Sequence, residues 1–377
     1  MSPTKNRKRL VGAGVTSVAV AVSLGFATIG VAGASLASSP RVVHHNTAIP
    51  QAVALLKALK IRPTKIPVSA KITRKIPRNR TIDFVVCGVP QCAILVSPLA
   101  AAAKELGWKV KQIPGGLSPS SIQAAWTQVV SNKPGAAMGT GFPEVLFSSQ
   151  VAQLKAMHIP VINGFVTDSA GGGVSAVVNG TPSYTKGGSS LADFVLGTDG
   201  TKSDSLFVGG STFPASGFEE SAYLTQSSKL CAKCATYHID PPATESSSQL
   251  ITDIEAQISA HPHINFVVCS QPTQAAGLPQ ALKLAGHGSV KIVVNTPDPT
   301  TLGYLKAGTI AGIMAEPNTD AMDEMADALW RTLVHQSVKP SEGGGGDWAV
   351  TKSTAHLVTY PYYLVPGALA QYAKLWK

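Results

Sequence analysis

The amino-acid sequence predicts an α/β protein with two doubly wound parallel-sheet lobes in tandem. Short apolar runs alternate with amphipathic helical segments from Thr81 onward, and the same alternation begins again at Leu206. Alternation at this spacing implies parallel strands joined by right-handed crossover connections. The length of 377 residues is sufficient for two domains of ordinary size and for additional segments.

Each series contains four predicted strands. In the first series the strands fall at residues 82–86, 108–113, 135–139 and 160–162, with helices at 97–106 and 118–131. In the second series they fall at 206–208, 235–239, 264–269 and 291–294, with helices that begin at 218, 246 and 273. A helix at 184–196 lies between the two series and connects one lobe to the other.

The positive charge of the chain is confined to its amino-terminal part. The formal net charge is +10, but 14 of the 31 Lys and Arg residues lie before Thr81, where there is no Asp or Glu. From Thr81 onward, acidic residues outnumber basic ones by four. A mildly acidic body does not favour phosphate backbones, so we predict no nucleic-acid partner.

Residues 1–37 have the pattern of an export signal peptide. A basic cluster from Lys5 to Arg9 precedes a long low-polarity run, and small residues follow it. We expect cleavage after Ala34 or Ala37; the run is long enough to act as a membrane anchor if it is retained. No Cys lies near the small residues, so a lipoprotein is not predicted. The expected location is outside the cytoplasmic membrane, either periplasmic or at the cell surface.

Residues 38–80 form a basic extension with one short helix. The helix is predicted between Thr47 and Lys60 with Thr47 as its N-cap, and three prolines beyond Lys60 prevent further regular structure. We interpret the extension as a solvated tether with one docked helix. The alternative is a basic arm that contacts the membrane or a cell-wall polymer.

The five cysteines divide into two close pairs and one isolated residue. Nearby cysteines of an exported chain usually oxidise, so we predict the disulfides Cys87–Cys92 and Cys231–Cys234, with Cys269 as a buried thiol. The Cys231-x-x-Cys234 pattern could instead be a redox dithiol. Redox pairs of this kind begin a helix that follows a strand, however, and this pair precedes a strand.

Other catalytic patterns are missing from the sequence. Neither a nucleophile elbow nor a phosphate-binding glycine loop occurs. The His pairs at 44–45 and at 261 and 263 have no carboxylates at ligand spacing. We therefore predict no enzyme activity, no cofactor and no metal site.

Three segments in order resemble the type I periplasmic solute-binding proteins, of the ribose- and galactose-binding kind. They are the helix end and Ile-Pro-Val strand at 156–162, the helix 279–286 with the strand 290–294, and the passage 300–308 with 310–316. The ending at 371–376 is similar to the tails of actinobacterial members. The resemblance covers residues 81 to about 336, which is about two thirds of the chain.

The resemblance implies a two-lobed receptor that closes on its ligand about a three-segment hinge. The crossings are expected near residues 180, 316 and 347. Lobe one is then 81–181 with 317–346, and lobe two is 182–316 with 347–377. The implied protein is a monomer that captures a small polar, carbohydrate-like ligand and delivers it to an ABC permease on another chain. The alternative is a ligand-sensing receptor domain for a membrane signalling partner.

Candidate ligand-binding residues follow from the expected strand ends, because open α/β sheets bind ligands there. They are Pro90, Gln91, Phe142, Asn163, Phe165, Asp168, Phe213, Gln271, Asn295, Asp298 and Glu316. Aromatic faces in this set are suited to stacking, and its amides and carboxylates to bonding hydroxyl groups. No Arg occurs at these loop positions, which leaves a less hydroxylated or partly apolar solute open beside a carbohydrate-like one.

Overall fold

The computed structural model describes residues 48–342 and 345–377, and the predicted signal peptide lies outside this range. The first lobe contains a parallel sheet in the order β2-β1-β3-β4-β5. Its strands are β1 (Thr81–Cys87), β2 (Lys109–Gly116), β3 (Ala136–Thr140), β4 (Val161–Gly164) and β5 (Val174–Val178). Within the described residues, no helix has the length and apolar character needed to cross a membrane.

The second lobe contains a sheet in the order β11-β10-β9-β8-β6-β7, in which only β11 is antiparallel to its neighbour. Its strands are β6 (Ser205–Val208), β7 (Thr236–Ile239), β8 (Phe266–Cys269), β9 (Lys291–Asn295), β10 (Gly312–Ala315) and β11 (Trp348–Val350). Two doubly wound lobes are the predicted fold class, and the structure confirms it.

Helices cover the faces of both sheets. They are α1 (Pro50–Leu59), α2 (Pro90–Ala93), α3 (Val96–Lys104), α4 (Pro119–Asn132), α5 (Ser148–Ala156), α6 (Thr181–Asp199), α7 (Pro214–Leu230), α8 (Ser247–Ala260), α9 (Leu278–Leu284), α10 (Pro299–Ala307), α11 (Asp320–Leu333) and α12 (Ala368–Ala373). Because both sheet faces are covered, the central strands are buried along their whole length and read as continuous apolar runs.

The chain crosses between the lobes at three places. It passes from β5 to α6 at 179–180, from β10 to α11 at 316–319, and back to β11 before Trp348. The carboxyl terminus departs from the expected assignment of 347–377 to lobe two. Leu364 packs in the core of the second lobe, whereas Tyr372 and Trp376 pack in the core of the first, against α11.

The described part of the basic extension, residues 48–80, is packed against both lobes and is not the solvated tether that its prolines suggest. Leu56 of α1 lies in the core beside α6, on the second lobe. Val68, Ile72 and Ile76 lie in the core of the first lobe. Between these contacts, the guanidinium of Arg62 donates to the backbone oxygens of residues 357, 363 and 364. Apolar residues spaced along an extended segment can fill surface grooves without any helical or strand periodicity, so sequence pattern does not detect them.

Element boundaries differ from the prediction at several places. The helix expected at 97–106 is α3, which runs from Val96 to Lys104, and the short helix α2 before it is not predicted. Strand β5 at Val174–Val178 is not predicted, since it is short and has glycines on both sides. Helix α1 has Ile49 as its N-cap, without a side-chain capping bond, so the expectation of Thr47 is wrong.

The cysteines pair as predicted from their spacing. Disulfides join Cys87 to Cys92 and Cys231 to Cys234. Cys269 is a free buried thiol, and burial raises its pKa to about 12. Since the thiolate is the reactive form, this cysteine is inert.

Candidate functional site

A pocket of about 130 Å³ lies between the two lobes, at the carboxyl ends of their central strands. Loops that follow neighbouring parallel strands diverge at this edge and leave space between them. In the first lobe these are the segments after β1, β3 and β4, and in the second lobe those after β6, β8, β9 and β10. The pocket is thus built by both lobes and by the segments that cross between them.

The wall contributed by the first lobe is apolar except for Gln91. Its apolar side chains are Val89, Cys92, Ile94, Leu95 and Phe165. The Cys87–Cys92 disulfide anchors this loop to the end of β1. Phe165 has a φ of 58°, in the left-handed region that residues other than glycine rarely adopt. The loop after β4 therefore holds the Phe165 ring at the pocket in a conformation that the surrounding packing must support.

The floor contributed by the second lobe is polar and acidic. Glu219 comes from α7, Asn295 from the end of β9, and Glu316 from the residue after β10, and all three are buried. Asn295 Nδ2 donates a hydrogen bond of 2.7 Å to Glu219 Oε1. Asn295 Oδ1 and Glu316 Oε1 have no hydrogen-bond partner. The floor thus presents acceptor oxygens that no donor of the protein reaches.

Two adjacent glycines of α6 allow the floor to pack this closely. A Cβ atom at residue 187 would lie 2.0 Å from Glu316 Oε1. A Cβ atom at residue 188 would lie 2.0 Å from the backbone oxygen of Glu219. Both distances are far shorter than van der Waals contact, so Gly187 and Gly188 set how closely the two glutamates approach α6.

Burial makes the floor unfavourable for negative charge. Burial first, and then the charge of Asp347, raises the pKa of Glu316 to about 8, against smaller opposing effects of Asn295 and Lys186. Burial and then the charge of Glu316 hold the pKa of Glu219 well above its usual range. Burial, and then the charges of Glu316 and Glu219, raise the pKa of Tyr184. A buried carboxyl pair of this kind retains a proton at neutral pH.

Two contacts join the lobes beside the pocket. The ring centroids of Phe142, from the first lobe, and Phe213, from the second, are 5.5 Å apart. Gln91 Nε2 donates a hydrogen bond of 3.1 Å to Thr273 Oγ1 across the same gap. Both contacts would break if the lobes separated, so the structure represents a closed arrangement.

Six of the eleven residues predicted at strand ends line the pocket, namely Gln91, Phe165, Phe213, Gln271, Asn295 and Glu316. The other five lie outside it. Pro90 is exposed at the start of α2. Phe142 packs in the core of the first lobe, and the Asn163 side chain donates to its backbone oxygen.

The two remaining carboxylates serve the backbone. Asp168 accepts a hydrogen bond from the backbone nitrogen of Glu144. Asp298 caps α10 by accepting from Thr301 N at 2.6 Å. A polar residue at a strand end commonly either contacts a ligand or hydrogen-bonds to nearby backbone groups. These two carboxylates hydrogen-bond to the backbone.

The strand-end rule does not identify Glu219 or Tyr184, because both lie inside helices. In α7, Glu219 shares a buried stripe with Ala215, Ala222 and Tyr223. A carboxylate at a stripe position of an amphipathic helix is the signal that points to it. Tyr184 lies in the first turn of α6, just after the first crossing, and carries no comparable signal.

Comparison with solved structures places the fold among periplasmic sugar-binding proteins. A solute-binding protein of an ABC transporter from Actinobacillus succinogenes, with bound D-allose, aligns with 74% of this chain and 99% of its own at 15% identity and a TM-score of 0.65. A glucose-galactose binding protein from Geobacillus stearothermophilus covers 74% and 99% at 17% identity and a TM-score of 0.63. A carbohydrate transporter from Acidothermus cellulolyticus, in complex with myo-inositol, covers 80% and 100% at 17% identity and a TM-score of 0.60.

No protein-family model matches the chain, and no curated protein sequence matches it either. The similarity thus lies in the fold, which this chain shares with these solute- and sugar-binding structures.

Proposed function

We propose that this protein is an extracytoplasmic solute-binding protein, which captures a small molecule by closure of its two lobes and delivers it to an ABC importer on another chain. The observation that carries the proposal is the pocket between the lobes. It is lined from both sides, so a ligand held there contacts both lobes at once and stabilises the closed arrangement. A cavity that both lobes line is suited to holding a small molecule between them.

The similar structures support a small polar ligand, since those of Actinobacillus succinogenes and Acidothermus cellulolyticus contain D-allose and myo-inositol. Phe165 and Phe213 supply ring faces suited to stacking on such a molecule, and Asn295 and Gln271 supply hydrogen-bonding groups.

The proposal is tested by thermal unfolding of the purified protein against sugars, polyols, amino acids and small amines. A ligand that binds only the folded state raises the melting temperature, by an amount equivalent to about 2.7 kcal/mol at a hundredfold excess over its Kd. The same ligand should reduce the radius of gyration in solution scattering. If no compound of any class shifts the transition, the pocket does not serve capture of small molecules.

A pair of aromatic variants then locates the site. Phe213→Ala removes a ring that lines the pocket, and we expect at least a tenfold weaker affinity for the ligand found in the screen. Phe218→Ala is the matched control, because this residue lies on α7, the helix that Phe213 caps, and its side chain is exposed. Equal affinities of the two variants would place the binding site elsewhere.

A further inference from the structure

Three buried oxygens in the pocket lack hydrogen-bond partners, and all three are acceptors. They are Asn295 Oδ1, Glu316 Oε1 and Asn318 Oδ1. The amide nitrogens of both asparagines already donate, Asn295 Nδ2 to Glu219 Oε1 and Asn318 Nδ2 to Thr296 Oγ1 at 3.0 Å. This network fixes which way each amide points. The open hydrogen-bonding positions therefore require donors from the ligand.

Charge in the pocket has one sign only. Glu219 and Glu316 are buried in its floor, and none of the residues that line the described pocket is Lys, Arg or His. The charge of Lys186 lowers the pKa of Glu316, but Lys186 is exposed and donates to the backbone oxygen of Gly345. Buried carboxylates without a paired cation are unfavourable, so a cation supplied by the ligand would remove a large cost.

We propose that the ligand is a small amine, whose protonated nitrogen binds Glu219 and Glu316 and whose apolar or stacking face lies against Phe165 and the disulfide-anchored wall. This inference rests on the proposed function, because it assigns the ligand class of the same pocket. An ammonium group carries three donors and no acceptor, which suits a floor whose unpaired atoms, such as Asn295 Oδ1 and Glu316 Oε1, are acceptors. Apart from Gln91, which already donates to Thr273, the side chains of the first-lobe wall are apolar and suit an apolar face of the ligand better than a fully hydroxylated one.

Binding of such an ammonium is linked to release of a proton. The groups that face Glu316 are Glu219 on α7, Asp347 before β11, Tyr184 and Lys186 on α6, and Asn295 on β9. Without a ligand, the raised pKa values of the two glutamates keep a proton on the pair near neutral pH. The cation favours the ionised pair, and the proton leaves to solvent. Affinity for an amine should therefore rise with pH between about 6 and 8.

The test uses amines and their neutral counterparts on the purified full-length protein. The pairs are glucosamine with glucose and benzylamine with benzyl alcohol, which also separate an amino sugar from an aromatic amine. Titration calorimetry should show at least tenfold tighter binding for the amine of one pair, and its heat should vary with the ionisation enthalpy of the buffer because a proton is released. Glu316→Gln should remove most of this preference and the buffer dependence.

Glu220→Gln is the matched control. It is adjacent to Glu219 on the same helix, and its carboxylate is paired with His238 outside the pocket. It should leave amine affinity within about twofold of the parent protein. Equal or tighter binding of glucose or benzyl alcohol, or an amine preference that survives Glu316→Gln, would overturn the ligand class while leaving capture of a solute intact. Failure of all four compounds overturns this inference, and the broader screen then decides separately whether the pocket captures any solute.

Discussion

Two groups of buried carboxyls lie within the fold, and they are satisfied in different ways. The pocket group is Glu219 and Glu316. The α11 group is Asp320, Asp323, Glu324 and Asp327, all of them on one helix and all buried. Burial raises the pKa of Glu316 and of Glu324 to about 8 in each case. In both groups burial disfavours the charged carboxylate, and the groups differ in the contacts that offset this cost.

In the α11 group, donors of the protein itself offset the cost of burying Asp327 and Asp320. Asp327 is paired with Arg331 and accepts a hydrogen bond of 2.7 Å from Trp376 Nε1. Asp320 accepts from the backbone nitrogens of Leu364 and Val365 at 2.7 and 3.0 Å. The carboxyl-terminal segment supplies most of these donors, which explains why it returns to the first lobe. The pocket group has Asn295 alone and an open space beside it.

The comparison separates carboxyls used for packing from carboxyls available for binding. Internal donors reach Asp320 and Asp327, whereas Glu324 Oε1 has no partner within the packed core, and the unpaired acceptors of the pocket group lie beside a cavity open to a ligand. Asp323 lies between these cases, because neither of its oxygens has a hydrogen-bond partner and burial raises its pKa well above the usual range. A protonated, neutral Asp323 is the form compatible with its position.

The largest effect is expected from Asp327→Ala. The Arg331 side chain is fully buried, and loss of its carboxylate partner leaves an uncompensated charge in the core. We expect the free energy of unfolding to fall by about 3–5 kcal/mol in guanidinium denaturation. Glu105→Ala is the control, since Glu105 is paired with Lys377 at 3.7 Å on the exposed surface. Its expected cost is about 0–1 kcal/mol. Equal costs would show that the α11 group is not a structural unit.

A smaller change in the free energy of unfolding is expected when the pH is varied. The folded pKa of Glu324, about 8, lies above its ordinary value, so the folded state retains a proton that the unfolded state loses. Its favourable contribution is complete below the ordinary pKa and is lost as pH rises through about 8. The free energy of unfolding should therefore decrease between pH 5 and 8, by up to about 1.4 kcal/mol per pH unit for each proton retained.

Glu324→Gln should flatten this dependence and should stabilise the protein at pH 8, as urea denaturation at several pH values would show. Amine binding should not change the contribution of the α11 group, because the pocket is built without it. Glu105→Gln serves as the control and should leave the slope unchanged. A parent protein that becomes more stable as pH rises from 5 to 8 would contradict the raised pKa values.

Sequence patterns predict the architecture well because parallel strands covered on both faces must be apolar throughout. The strands β1, β6, β8 and β9 are all recognised in this way. The close cysteine pairs also follow from spacing alone. The docking of residues 62–76 does not, because its contacts lie about 260 to 300 positions away in the chain and leave no periodic signal.

The pocket is predicted in part, for a related reason. The strand-end rule finds Asn295 and Glu316, which project from the sheet edge itself. The strand-end rule does not distinguish a residue that caps a helix, such as Asp298, from one that faces the ligand. Nor can it find Glu219, whose place in the floor depends on how closely α7 packs on α6. That distance depends on Gly188, and its effect is visible only in the folded structure.

The smallest change in stability, together with a clear loss of binding, is expected from Gly187→Ala. Gly187→Ala places a methyl group 2.0 Å from the present position of Glu316 Oε1, so the carboxyl must move away from the pocket floor. We expect at least tenfold weaker ligand binding by calorimetry, together with some loss of stability. Gly217→Ala is the control, since residue 217 lies on the exposed face of α7 and a Cβ there meets nothing within 4 Å. It should raise the free energy of unfolding by about 0.4–1 kcal/mol and leave affinity unchanged. If Gly187→Ala also leaves affinity unchanged, the position of Glu316 does not matter for binding, and the pocket group would be a packing feature like that of α11.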